Sequence, residues 1–220
     1  GTGVRNPNNQ FLCKCRYKMY FFDHTPIESS NGEIVDIILN DKQWPEGLRM
    51  GIGKMRKGEI AKIKVKKSYG FSPSIDPEKL RIPKGWEEGE KLKRLQTKGI
   101  IYEVELVDWE IRDDVSNDGQ LVKIVHKRSK AGMDKPAGWD EVTIDIKIYQ
   151  KDPNTVYFEK KNWTVLMDNE DVTTCGTRIL ETMRVGEVAE GIAQPSYFKE
   201  HDEKAIKKWG LQEHKELRIE

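Results

Sequence analysis

A seven-residue segment occurs twice in this chain. Met55-Arg56-Lys57-Gly58-Glu59-Ile60-Ala61 returns as Met183-Arg184-Val185-Gly186-Glu187-Val188-Ala189, with five of the seven positions identical, at an offset of 128 residues (183 − 55). Ser68-Tyr69 returns at the same offset as Ser196-Tyr197. Two separate matches at one unchanged spacing argue for a duplicated domain rather than for a turn that arose twice. The 220 residues leave room for two domains of about 100 residues, each large enough to bury its own core. The polar, glycine-ended stretch from Asp113 to Gly119 has linker composition. The expected domains are therefore residues 1–113 and 114–220.

Period-two alternation dominates both copies. Cys13, Cys15, Tyr17 and Met19 fall on one side of a strand, and Lys14, Arg16 and Lys18 on the other. Val35, Ile37 and Leu39 form a second such set, Ala61, Ile63 and Val65 a third, and Tyr102, Val104 and Leu106 a fourth. In the second copy Val142, Ile144, Ile146 and Ile148 alternate with polar positions. This pattern describes an antiparallel sheet with one core face and one wet face. The outward Lys62, Lys64 and Lys66 lie opposite outward Glu103 and Glu105, so cross-strand pairs are their simplest role. One short helix per copy is expected over the core face, at about residues 45–54, with a proline near its first turn, and 173–183. Sheet and covering helix make an α+β architecture.

Composition narrows the function. Lys+Arg total 38 and Asp+Glu 37, a net charge of +1, so no nucleic-acid partner is expected. No run of 18 apolar residues exists, so no membrane span is expected. Three cysteines suit a reducing compartment, which points to the cytoplasm or the nucleus. Cys13 and Cys15 share one strand face without a second pair, which reads as buried structural thiols rather than a metal or redox site. His24, His126, His201 and His214 have no metal-ligand spacing.

The order of parts resembles an FKBP domain, the fold of the peptidyl-prolyl isomerases of the immunophilin class. The residues that carry the resemblance are Tyr17 at the end of an early strand, the pair Ile27-Glu28, Gly47-Leu48, the Met55–Ala61 turn, Ser68-Tyr69-Gly70 and Tyr102-Glu103-Val104-Glu105-Leu106. Gly1-Thr2-Gly3 is similar to the Gly-x-Gly that follows the family's first strand. Residues 114–220 match more thinly, through Asp140-Glu141-Val142, Phe158-Glu159, the Met183 turn and Tyr197. The resemblance implies tandem FKBP-like domains within a larger multidomain immunophilin. The first domain then begins after its first strand, and the second is incomplete at its C-terminus.

The resemblance also implies a site. Prolyl isomerisation needs an apolar cup for the proline ring, exclusion of water and a few hydrogen-bonding groups. It needs no metal, no cofactor and no nucleophile. In the first copy the cup would be Tyr17, Ile27, Glu28, Val35, Trp44, Pro45, Leu48, Tyr69 and Tyr102. Several positions depart from the family pattern. Ile27 stands for a wall Phe, Glu28 for Asp, and Leu48 for a floor Trp. Pro45 has no N–H to offer at a position that usually donates one. For Tyr17 and Tyr69 the other reading is plain core packing. In the second copy the same cup falls on Ile146, Val172, Thr173 and Gly176, which builds no floor. Gly85-Trp86-Glu87-Glu88-Gly89 looks like the family's floor motif, but it sits in the long connection from Phe71 to Gly99, too far downstream for that place. That connection either regulates access or binds a partner, or is a surface insertion. Two functions follow: a prolyl isomerase of weak or absent activity that takes proline-containing segments and the family's macrolide ligand, or a protein-binding scaffold or co-chaperone module.

Overall fold

The computed structural model describes residues 6–7, 11–71, 80–132, 134–150, 155–167, 169 and 172–220. Gly1-Thr2-Gly3 lies outside them. The chain forms two compact units, one ending at Ile111 and one running from Arg112 to Glu220.

The first unit is built on β1 (Leu12–Phe21). One edge of β1 carries two short strands: β2 (Pro26–Ser29) pairs along Lys18–Tyr20, and β3 (Val35–Ile38) pairs along Leu12–Cys15. The other edge pairs with β5 (Ile100–Asp114), and β4 (Ile60–Val65) pairs with β5 on its far side. All of these pairings are antiparallel. The pleat follows the sequence pattern: Cys13, Cys15, Tyr17, Met19 and Phe21 are buried, while Arg16 and Lys14 on the wet face pair with Glu105 at 3.0 Å and Glu110 at 2.8 Å. Helix α1 (Glu46–Ile52) covers the core face through Leu48 and Ile52.

The second unit orders its strands β6-β9-β10-β7-β8: β6 (Leu121–Lys127), β9 (Val188–Ala193), β10 (Leu217–Ile219), β7 (Glu141–Gln150) and β8 (Thr155–Leu166). Strand β8 pairs with β7 over most of its length, where the first unit has two separate short strands on β1. Ile146, Ile148, Leu217 and Ile219 point into the core, covered by α3 (Thr174–Leu180) through Cys175 and Ile179.

One helix per copy is what the periodicity predicts, and α1 and α3 stand in those places. The structure adds α2 (Gly89–Thr97) to the first unit, and α4 (Pro195–His201) and α5 (Glu203–Trp209) to the second. Helix α2 buries only Leu95, too little apolar patterning to announce itself. It is held at the end of β1, where the Arg94 guanidinium lies over the Phe21 ring at 4.3 Å and pairs with Asp23 at 2.7 Å.

The duplicated turn has the same physical cause in both copies. Gly58 and Gly186 take positive φ of 78° and 76°, which side chains resist. In each turn the Glu N–H donates to an Arg carbonyl, Glu59 to Arg56 and Glu187 to Arg184. The glutamate side chains diverge. Glu59 accepts from the Arg56 N–H at 2.8 Å, whereas Glu187 accepts from Lys123 Nζ at 2.8 Å.

Lys123 is 2% exposed and also bonds the Thr182 carbonyl at 3.1 Å. A buried ammonium survives only where its donors are met. Lys123→Ala would strand the nearly buried Glu187 carboxylate, so we expect a loss of about 3 kcal/mol in unfolding free energy. The start of α3 is equally particular. The Asp202 carboxylate, itself buried, accepts from the backbone N–H groups of Thr174 and Cys175, and the Thr173 hydroxyl accepts from Gly176 N–H at 2.9 Å. Asp202→Ala leaves those amides unmet and is expected to cost about 1–3 kcal/mol. Denaturant titration of the intact chain, followed by circular dichroism, measures both losses; unchanged midpoints would contradict them.

Candidate functional site

Three aromatic residues meet at one place in the first unit. Tyr17 comes from the middle of β1, Trp44 from the residue pair just before α1, and Tyr102 from β5. The Tyr17 and Trp44 rings lie edge to face, 5.8 Å between centroids and 85° between planes; Tyr17 and Tyr102 stand 6.4 Å apart at 57°. Leu48, fully buried, belongs to the same cluster from α1. Such ring arrangements follow the quadrupoles of the rings and add to the area they bury. Ile27 and Val35 pack partly buried against this cluster. Pro45 is buried and stands at the N-cap of α1, with φ −52° and ψ 136° and no side-chain cap bond. Tyr69, on the 3-10 turn Lys67–Tyr69, is 46% exposed and makes no ring contact with the other three.

The polar groups of the site centre on Glu28. The Tyr17 hydroxyl donates to Glu28 Oε2 at 2.5 Å. Arg81 donates through Nη1 to the same oxygen at 2.8 Å and through Nη2 to Oε1 at 3.2 Å. The Arg81 guanidinium carbon also lies 4.7 Å from the centroid of the Trp44 ring. Burial, helped by the bond to Glu28, pushes the Tyr17 hydroxyl well above the usual phenol range, so it stays protonated and donates. Burial opposes the charge on Arg81, but the hydrogen bonds and charges of Glu28 and Tyr17 outweigh it and hold the guanidinium more firmly protonated than usual. The chemistry available here is that of an apolar ring cup with one fixed carboxylate beside it.

Arg81 is the residue that sequence reasoning missed. It sits in the long connection, and its signal in the sequence is a single charge between Leu80 and Ile82, followed by Pro83. Within that connection, residues 72–79 lie outside the described set. The floor-like motif lands elsewhere, as its spacing required: Trp86 packs on Phe21, 5.3 Å between ring centroids.

Among the described residues the second unit does not assemble a comparable cup. Ile146, Val172 and Thr173 are buried, and Gly176 leaves no floor. A Cβ on Gly176 would meet Val172 Cγ1 at 2.6 Å and Thr173 Oγ1 at 3.0 Å, so no larger residue fits there. Phe158 is engaged by its own unit, stacked on Trp209 at 5.2 Å and edge-on to Trp163 at 5.3 Å. Tyr197, the counterpart of Tyr69, is buried against His201 and accepts a hydrogen bond from Arg178. A cleft of about 440 Å³ opens beside the start of α3, lined by Thr173, Thr177, Asp202, Lys208 and Trp209 among others. Its charged lining suits a prolyl ring poorly, and the site chemistry stays with the first unit.

Cys13, Cys15 and Cys175 are free and buried, and burial raises the pKa of each thiol far from reactivity. Among the described residues no group of three His, Cys, Asp or Glu side chains is placed to hold a metal ion, and no helix is long and apolar enough to cross a membrane.

Comparison with known proteins identifies this arrangement. Residues 3–107 match the model of the FKBP-type peptidyl-prolyl cis-trans isomerase family. The chain is 28% identical over 174 residues to the peptidyl-prolyl cis-trans isomerase PASTICCINO1 of Arabidopsis thaliana, a match covering 78% of this chain. The match spans about a quarter (24%) of that relative's length. The solved structure of the three FKBP domains of wheat FKBP73 superposes with a TM-score of 0.66 at 22% identity, covering 100% of this chain and 88% of that one. Its likeness extends the FKBP fold to both units. The first unit therefore carries a domain that matches the FKBP-type peptidyl-prolyl cis-trans isomerase family, and the two units together share the tandem α+β fold of FKBP domains.

Proposed function

We propose that the first unit binds proline-containing protein segments at the Tyr17–Trp44–Tyr102 cup and catalyses their cis–trans isomerisation slowly. The observation that carries this reading is the set of three rings over Leu48, with the Tyr17 hydroxyl fixed on Glu28. An X-Pro bond has cis and trans forms of similar energy separated by the partial double bond of the amide. A dry aromatic cup favours the twisted amide, whose nitrogen has lost conjugation, over the planar one that prefers water. No covalent step is involved.

Two features argue for a low rate. Leu48 gives a smaller floor than an aromatic residue, and Pro45 offers no N–H at the start of α1. Trp44 supplies ring area from the neighbouring position, so volume is partly restored while the lost donor is not. The second unit, with its floor absent and its helix start capped by Asp202, is read as a docking or spacer module for protein partners, including chaperones. Free buried cysteines support a reducing location, the cytoplasm or the nucleus.

The test is isomerisation of a short X-Pro peptide by the intact chain, with Tyr17→Ala checked for folding. We expect acceleration above the uncatalysed rate, reduced about tenfold in the variant, equivalent to about 1.4 kcal/mol of transition-state stabilisation. A folded chain that gives no acceleration, or a rate indifferent to Tyr17→Ala, would contradict the reading.

A further inference from the structure

Leu80, Arg81 and Ile82 pack against the first cup, with buried Pro83 next in the chain. The Arg81 backbone N–H donates to the Gln43 carbonyl at 2.8 Å. Leu80 is buried in the ring cluster, and Ile82 packs partly buried against it. Between these two apolar anchors the guanidinium makes its two bonds to Glu28 and covers the Trp44 ring. The rings of the cup are shut from water within the core cluster that Leu80 joins: Tyr17 is 3%, Trp44 7% and Tyr102 1% exposed.

The chemistry of this contact is selective. A carboxylate on one side and an indole face on the other match a planar fork that donates bidentate bonds and stacks on aromatics. An ammonium offers neither geometry. The Tyr17 hydroxyl shares Oε2 of Glu28 and so fixes the carboxylate toward the fork.

Resting on the reading of this cup as a prolyl-peptide site, we propose that it is addressed by arginine: Leu80–Pro83 is its internal ligand, and its external ligands are proline peptides of the same apolar-Arg-apolar-Pro order. An external peptide must displace Arg81 from Glu28 and Trp44. The apparent affinity of the intact chain is then the intrinsic affinity multiplied by the fraction of molecules in which the internal segment is unseated. Removing the Arg81 side chain removes that competition and leaves the Glu28–Trp44 cradle for a peptide arginine.

The experiment is calorimetric titration of the full chain and its Arg81→Ala variant with three blocked tetrapeptides, Leu-Arg-Ile-Pro, Leu-Lys-Ile-Pro and Leu-Ala-Ile-Pro. The variant is expected to bind the arginine peptide at least about tenfold more tightly than the alanine peptide, a difference of about 1.4 kcal/mol. It should also bind the arginine peptide about tenfold more tightly than the unaltered chain does, with the lysine peptide well behind. Equal binding of the arginine and alanine peptides overturns the inference while leaving the prolyl cup standing. No binding of any peptide by a folded variant overturns both. Arg81→Gln, which keeps the stem and a donor, is titrated in parallel. If both variants unfold, Arg81 is a structural strut and the inference fails.

Discussion

Tyr17 stands in the middle of β1, paired across the sheet to Val104, and the two-residue pleat puts Cys13, Cys15, Met19 and Phe21 on the same face. That register decides what the first unit can do. A slip of one residue would turn Tyr17 to water and bring Lys18 inward. With the register held, the Tyr17 ring meets Trp44 and Tyr102 inside the core, and its hydroxyl reaches the carboxylate that β2 supplies at Glu28. The wet-face ion pairs are worth little by themselves. The register is set by burial, and the site inherits its precision from the core.

The two copies show how one frame loses a site. Both keep a short helix followed by the glycine turn, and each turn depends on a backbone conformation that glycine adopts cheaply. Around that frame the side chains have moved apart. Leu48 in α1 corresponds to Gly176 in α3 at the 128-residue offset, and the helix start that is bare at Pro45 in the first copy is capped twice over in the second, by Thr173 and Asp202. Stability gained at a helix start is hydrogen-bonding capacity withdrawn from any ligand. The second unit has spent its polar groups on itself, holding Lys123 with Glu187 and α3 with Asp202.

Much of this was legible before any coordinates. The repeat gave the duplication, and alternation gave the strands around Cys13–Met19, Ile37, Val104 and Ile146, because one buried face leaves an unmistakable period. Tyr17 and Glu28 were legible as a pair through the family pattern. Arg81 was not, since its role rests on a contact 53 residues away in sequence, which no local pattern encodes. Helices α2, α4 and α5 were missed for a related reason. Each is seven to nine residues long, and their buried residues, Leu95, Tyr197, Phe198, Ala205 and Ile206, mark no sustained helical stripe. Tyr69 lies on the turn that its motif marks, with its side chain 46% exposed.

The central claim is that Glu28, Tyr17 and Trp44 hold a guanidinium at the mouth of the first cup. Nuclear magnetic resonance of the intact chain with isotope-labelled arginine tests it most directly. A clamped Arg81 is expected to show separate, slowly exchanging Nη signals with through-space contacts to the Trp44 ring protons. A single rapidly averaged guanidinium signal for Arg81, without contact to Trp44, would contradict it.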